Sequence, residues 1–119
     1  MLKPYRTIQY AINSISSNGY IINVLTSQTE NLVIDGKSQL VIKFHGSTIQ
    51  NSPNIVLTGK ITISNSSSIK IIDGQIDARN LVNEHAITIN SGNNYFKNLT
   101  VLGDSGYGVL INSSGSAYN

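Results

Sequence analysis

Residues 61–74, Ile61-Thr62-Ile63-Ser64-Asn65-Ser66-Ser67-Ser68-Ile69-Lys70-Ile71-Ile72-Asp73-Gly74, hold two apolar runs separated by a short polar stretch. Ile61 and Ile63 alternate with Thr62, which is the period of two that places one face of a strand inward. Asn65 to Ser68 supply the side chains that favour a tight bend, and Gly74 closes the second run where a chain can turn without steric penalty. This short-strand, turn, short-strand unit decides the fold class.

Working outward, similar runs are Leu32-Val33-Ile34-Asp35-Gly36, Ile42-Lys43-Phe44-His45-Gly46, Ile55-Val56-Leu57-Thr58-Gly59 and Leu99-Thr100-Val101-Leu102-Gly103. A second series is Ile21-Ile22, Val41-Ile42, Ile61-Thr62-Ile63, Ile87-Thr88-Ile89 and Val109-Leu110-Ile111. Its near-regular spacing predicts strands that lie above one another, one per turn of a solenoid. Turn-rich segments fall at 26–29, 50–54, 65–68, 91–94 and 112–116, where stacked Asn side chains can bond from turn to turn. The stretch 75–85 is the longest break in the pattern and is predicted to loop outward, where function tends to sit.

Only Thr7 to Ile15 departs from period two. Ile8, Ala11, Ile12 and Ile15 share one helical face, with Thr7 placed to cap the start and Gly19 to end it. A solenoid must cover its first strands, so residues 1–19 are expected to form an N-terminal segment with a capping helix. Residues 20–119 are then the coils, about four or five of them, and with no cap discernible at the C-terminus they are expected to continue beyond the chain or to meet a partner. The expected fold is all-β, a right-handed parallel β-helix.

Composition narrows the function. The chain of 119 residues has eighteen Ile, fifteen Asn and sixteen Ser against eight basic and six acidic side chains, with a net charge of +2. Lys3, Arg6, Lys37, Lys43, Lys60, Lys70, Arg79 and Lys97 are scattered along the sequence, so no nucleic-acid patch is expected. Cysteine is absent, which removes disulfides and thiolate metal sites. No apolar run is long enough for a membrane span. The first residues lack the apolar core of a signal peptide, implying another export route or a missing natural beginning.

With the strands and cap in place, the chain resembles the pectin-lyase-like superfamily of right-handed parallel β-helices, which includes pectate lyases, polygalacturonases and phage tailspikes. Thr7-Ile8-Gln9-Tyr10-Ala11-Ile12 resembles the T-I-Q-x-A-I opening of the capping helix in that superfamily. Thr29-Glu30-Asn31-Leu32-Val33-Ile34 is similar to the stretch entering the first full coil, and the Ile-Asp-Gly triplets at 34–36 and 72–74 resemble recurrent turn elements. The resemblance covers nearly the whole chain as a scaffold. It carries over no paired-Asp cluster, no His-Gly or Arg-x-Lys element of the polygalacturonase kind, and no Gln and Asp arrangement of the pectinesterase kind.

The resemblance implies a surface carbohydrate-recognition protein of the viral tailspike or receptor-binding type, with a polysaccharide or glycan as partner and a homotrimer or structural partner over the C-terminal coil. Virion surface or extracellular location follows from that reading. A truncated polysaccharide lyase or glycoside hydrolase is the alternative, and a structural or adhesive β-solenoid the third. No cofactor and no metal are expected.

For chemistry, Asp73, Asp77, Glu84 and His85 are the candidates, because carboxylates and an imidazole around one loop can share acid and base roles or hold calcium. The simpler reading is that Asp73 and Asp77 serve turns and that Glu84 and His85 are solvated; Asp35 beside Gly36 has the same reading. His45 can face a groove or simply stack at the surface. Tyr95, Phe96, Tyr107 and Tyr118 would stack sugars if they shared a face, against a packing role for each. Asn65, Asn98 and Asn112 match the N-glycosylation pattern, which chance explains in so Asn-rich a chain. Gly103 to Gly108 lacks the Lys and the following helix of a phosphate loop and reads as a tight turn.

Overall fold

The computed structural model describes residues 5–16, 19–45, 55–103, 108–111 and 115–118. One helix, α1 (Ile8–Ser14), precedes eleven strands: β1 (Ile21–Val24), β2 (Gln28–Thr29), β3 (Leu32–Asp35), β4 (Val41–Phe44), β5 (Val56–Thr58), β6 (Ile61–Ser64), β7 (Lys70–Asp77), β8 (Ile87–Ile89), β9 (Gly92–Leu102), β10 (Val109–Ile111) and β11 (Gly115–Tyr118). Every strand pair among the described residues is parallel. The first sheet runs β1-β4-β7-β5-β2, with β9 added to β7 and β11 to β9; the second runs β10-β8-β6-β3.

This arrangement corrects the expected fold. The structure is a small compact α/β domain of parallel strands in two sheets with one short helix, not an all-β right-handed parallel β-helix of stacked coils. Its radius of gyration is 13.5 Å. The finding that overturns the expected column is the register: Ile21 pairs with Val41, but Val41 pairs with Lys70 and not with Ile61. Ile61 instead pairs with Ile87, and Ile87 with Val109, in the other sheet. The series that seemed to stack above itself is therefore divided between two sheets. Alternation marks which side chains face the core, but inward faces of both sheets read alike, so periodicity could not assign a strand to its sheet.

Between the sheets lies an apolar core. Leu32, Ile34, Ile61, Ile63, Ile87 and Ile89 from the second sheet meet Ile42, Phe44, Leu57, Ile71 and Ile76 from the first, all of them buried. Ile8, Ala11 and Ile12 on α1 are buried too, so the helix contributes to the core. Alone, a seven-residue helix is marginal in water. Its start is fixed three times over: the Thr7 hydroxyl accepts from the Tyr10 amide at 3.0 Å, and the Glu30 carboxylate accepts from the Ile8 and Gln9 amides at 2.9 and 3.0 Å. Gln9 lies along β3, accepting from the Val33 amide at 2.7 Å and donating to the Val33 carbonyl at 2.9 Å. That side chain substitutes for a neighbouring strand on the edge of the second sheet. Gly19 does not end the helix; Ile15 caps it in extended conformation, while the Gly19 amide donates to Gln39.

Other turn expectations also shift. Gly74 is no bend, because it is buried within β7, and an added Cβ would stand 2.5 Å from Cγ of Phe44. Leu99 to Leu102 continue β9, and 92–94 begin it. The corners are instead set by positive-φ residues, among them Gln39 at 52°, Asn65 at 49° and Ser68 at 56°. Below these corners the buried Ser66 accepts from the Lys37 amide at 3.0 Å and bonds through its own amide to Ser91 at 2.8 Å. Asn94, 1% exposed, accepts from the Ile69 amide at 3.3 Å and donates to the Ser91 carbonyl at 3.1 Å.

Candidate functional site

The first-sheet strands β4, β7 and β9 give two outward rows. Inward residues are fixed by burial: Ile42 and Phe44 on β4, Ile71 on β7, and the packed Phe96 on β9. Their neighbours must then point outward. One row places Ile21, Val41, Lys70 and Tyr95 side by side, and the next places Asn23, Lys43, Ile72 and Lys97. The Lys70 ammonium stands 6.0 Å from the centre of the Tyr95 ring, within cation–π range, and that ring stays accessible. At the margin, His45 Nε2 donates to Asn23 Oδ1 at 2.6 Å, which fixes the imidazole against the β1 side of the face.

Each of the sequence-derived candidates has a definite place. Asp73 interrupts β7 with φ 64°, and its Oδ1 accepts from Asn98 Nδ2 at 3.2 Å. Asp77 ends the same strand four residues on, roughly 13 Å away along an extended chain. It is clasped by Arg79, with Nε on Oδ1 at 3.0 Å and Nη2 on Oδ2 at 2.8 Å. These bonds from the Arg79 side chain, seconded by its amide, hold the Asp77 carboxyl below the ordinary value of 3.8. The Asp77 carboxylate in turn raises Arg79. Glu84 pairs with Lys60 at 3.0 Å, and His85, half-buried, is also engaged. Among the described residues, no three His, Asp or Glu side chains gather to hold a metal ion.

The outward loop expected at 75–85 begins later, since Gln75 to Asp77 pair with both β5 and β9. Ala78 is buried beyond them. Of the aromatic set, Tyr95 faces outward and Phe96 inward, so they do not form one platform. Tyr107 lies outside the described residues, and Tyr118 is aligned with Tyr95 by backbone register. Asn65 and Asn98 bond to Asp35 and Asp73 across neighbouring strands, while Asn112 and residues 104–107 of the Gly-rich turn lie outside the described residues.

An open hollow beside α1 is lined by Gln9, Ile12, Asn13, Val33, Asp35 and Lys37. Its polar groups are already engaged, Gln9 with Asn13 and Val33, Asp35 with Asn65, and Lys37 Nζ with the Ile15 carbonyl at 2.6 Å. The outer face of the first sheet is therefore the better candidate. What sequence reading missed is that Lys43, Lys70 and Lys97, scattered along the chain, share it. Only the strand register brings them together. Compared with models of protein families, with curated proteins and with solved structures, the chain finds no match in any of the three. No helix among the described residues is long and apolar enough to cross a membrane.

Proposed function

We propose that this chain is the scaffold of a surface protein that recognises carbohydrate, and that the polysaccharide lies across the outer face of β4, β7 and β9. The observation that carries this reading is the accessible Tyr95 ring beside Lys70 on a sheet face whose other outward residues include Ile21, Val41, Ile72, Lys43, Lys97 and Asn23. An aromatic ring covers the apolar face of a pyranose, while ammonium and amide groups at its rim hydrogen-bond hydroxyls. Paired parallel strands fix the backbone positions from which these side chains project, so the chain itself need not be ordered on binding. Hydrolysis or elimination draws no comparable support, because Asp73, Asp77 and Glu84 each already have a hydrogen-bonding or ionic partner.

A glycan microarray probed with the full chain and with the variant Tyr95→Ala tests the reading. The expected result is binding to one group of related glycans, lost in Tyr95→Ala while the melting temperature is kept. A chain that binds no glycan on the array, or a variant that binds as well as the parent, overturns it.

A further inference from the structure

We infer that the glycan taken by this face is an anionic one, and that Lys43, Lys70 and Lys97 together read its charge; the inference rests on the carbohydrate reading above. Three observations carry it. Lys43 and Lys97 flank Ile72 in one row of the sheet, two strand spacings or about 9.6 Å apart. Lys70 lies on the intervening strand, two residues or roughly 6.6 Å from Ile72. The three lysines therefore form a triangle of backbone positions on one face, at a spacing that suits a disaccharide with charged substituents.

Secondly, none of these cations is in an ion pair with a described acidic residue. Lys60 is paired with Glu84, Arg79 with Asp77, and Lys37 is tied to the end of α1. Lys43, Lys70 and Lys97 form no ion pair among the described residues. Asp73, three residues from Lys70, is bonded to Asn98. Three like charges collected on one surface, with no ion pair among the described residues, favour a negatively charged occupant.

Thirdly, the kind of cation and its surroundings favour a sugar polyanion over a nucleic acid. Lysine is a point charge without the planar fork of arginine, so the face places charges rather than gripping one planar group. Binding of a single nucleic-acid strand uses successive aromatic platforms, and β4 and β7 contribute only Val41, Lys43, Lys70 and Ile72 to these rows, none of them aromatic. Ile21, Val41 and Ile72 supply aliphatic surface for the unsubstituted faces of sugar rings.

The test uses the full chain with neutral dextran, carboxymethyl dextran and dextran sulfate of matched length, by fluorescence anisotropy at low and high ionic strength. A poly-dT oligonucleotide is a fourth arm. Carboxymethyl dextran or dextran sulfate is expected to bind more tightly than dextran, more weakly at high salt, and the better of the two identifies the acid as carboxylate or sulfate. The triple variant Lys43→Gln, Lys70→Gln, Lys97→Gln is expected to weaken that binding by about tenfold or more, as three exposed ion pairs together allow, at an unchanged melting temperature. Binding that ignores charge or the lysine changes overturns the inference. Poly-dT binding as tight as that of the charged dextrans overturns it in favour of a general polyanion surface. If the array of neutral glycans is positive when the charged dextrans fail, the carbohydrate reading stands without this inference; if the array is also empty, both fall.

Discussion

Asn98 Nδ2 donates to Asp73 Oδ1 at 3.2 Å, and the two residues sit opposite one another in β9 and β7 with φ of 49° and 64°. Register places Ile72 beside Lys97 and Gly74 beside Leu99, so both left-handed residues fall at the same point of neighbouring strands. The first sheet bends there. On one side β7 pairs with β4, on the other with β5. Asn and Asp tolerate the left-handed region better than other side chains, and here they also bond across it.

The backbone requirement at this bend can be separated from the hydrogen bond. Asn98→Gly relieves the conformation and removes an exposed bond, so its urea midpoint should move little. Asn98→Val puts a β-branched side chain at positive φ and should lose about 1–2 kcal/mol. A Val variant as stable as the Gly variant would show that the bend can be relocated.

How much of this was legible depends on range along the chain. Thr7 and the spacing of Ile8, Ala11 and Ile12 mark α1, and alternation around Ile42 and Ile63 marks inward faces, because these signals lie within a few residues. The partner of Asp73 is twenty-five residues away, and nothing local distinguishes Asn98 from fourteen other asparagines. Ser68 falls in the turn-rich stretch 65–68, but Gln39 takes positive φ without being glycine or asparagine and outside any such stretch, so that corner carries no sequence mark. Gly74 carries one that misleads, since it serves close packing and not a turn. The lysine face is illegible for the same reason as the sheet order: adjacency across strands is set by register.

Close packing at Gly74 gives a second expectation. A Cβ there would meet the Phe44 side chain, Cγ and Cδ2 of the ring at 2.5 and 2.6 Å and Cβ at 2.8 Å, and that side chain is itself enclosed in the core. Gly74→Ala should destabilise by about 1–3 kcal/mol through overpacking. In a Phe44→Ala background the same change should cost clearly less, because Cγ and Cδ2, the two closest atoms, are gone. Denaturation of all four proteins gives the coupling; strictly additive effects would mean that the strand shifts away from Phe44 instead.

The dock of α1 depends on Glu30 more than on the helix's own propensity. Glu30→Ala removes acceptors from both the Ile8 and Gln9 amides and should cost about 1–2 kcal/mol. Glu30→Gln keeps one carbonyl acceptor and should fall between. Hydrogen exchange provides the local readout, with Ile8 and Gln9 amides losing protection before those of Ile61 or Ile87. Gln9→Ala should additionally free the Val33 amide to exchange, since Gln9 Oε1 is its acceptor.

Arg79 sets an acid limit on stability through Asp77. The two side-chain bonds and the amide bond from Arg79 favour the ionised carboxyl in the folded chain, lowering it from the ordinary 3.8. A carboxyl depressed on folding binds fewer protons when folded than when unfolded, so stability rises with pH across that interval. The contribution is therefore complete above the unfolded value and is lost as pH falls through the folded one. Arg79→Ala should melt below the parent at neutral pH, and the difference should narrow on acidification below about pH 3.8, the ordinary carboxyl value. Melting curves of both proteins from neutral pH into this acid range measure it. Because the pair lies at the surface, the difference should also shrink in high salt. A gap that is independent of both pH and salt would assign the effect to the turn formed by Ala78 and Arg79, and not to the charge on Asp77.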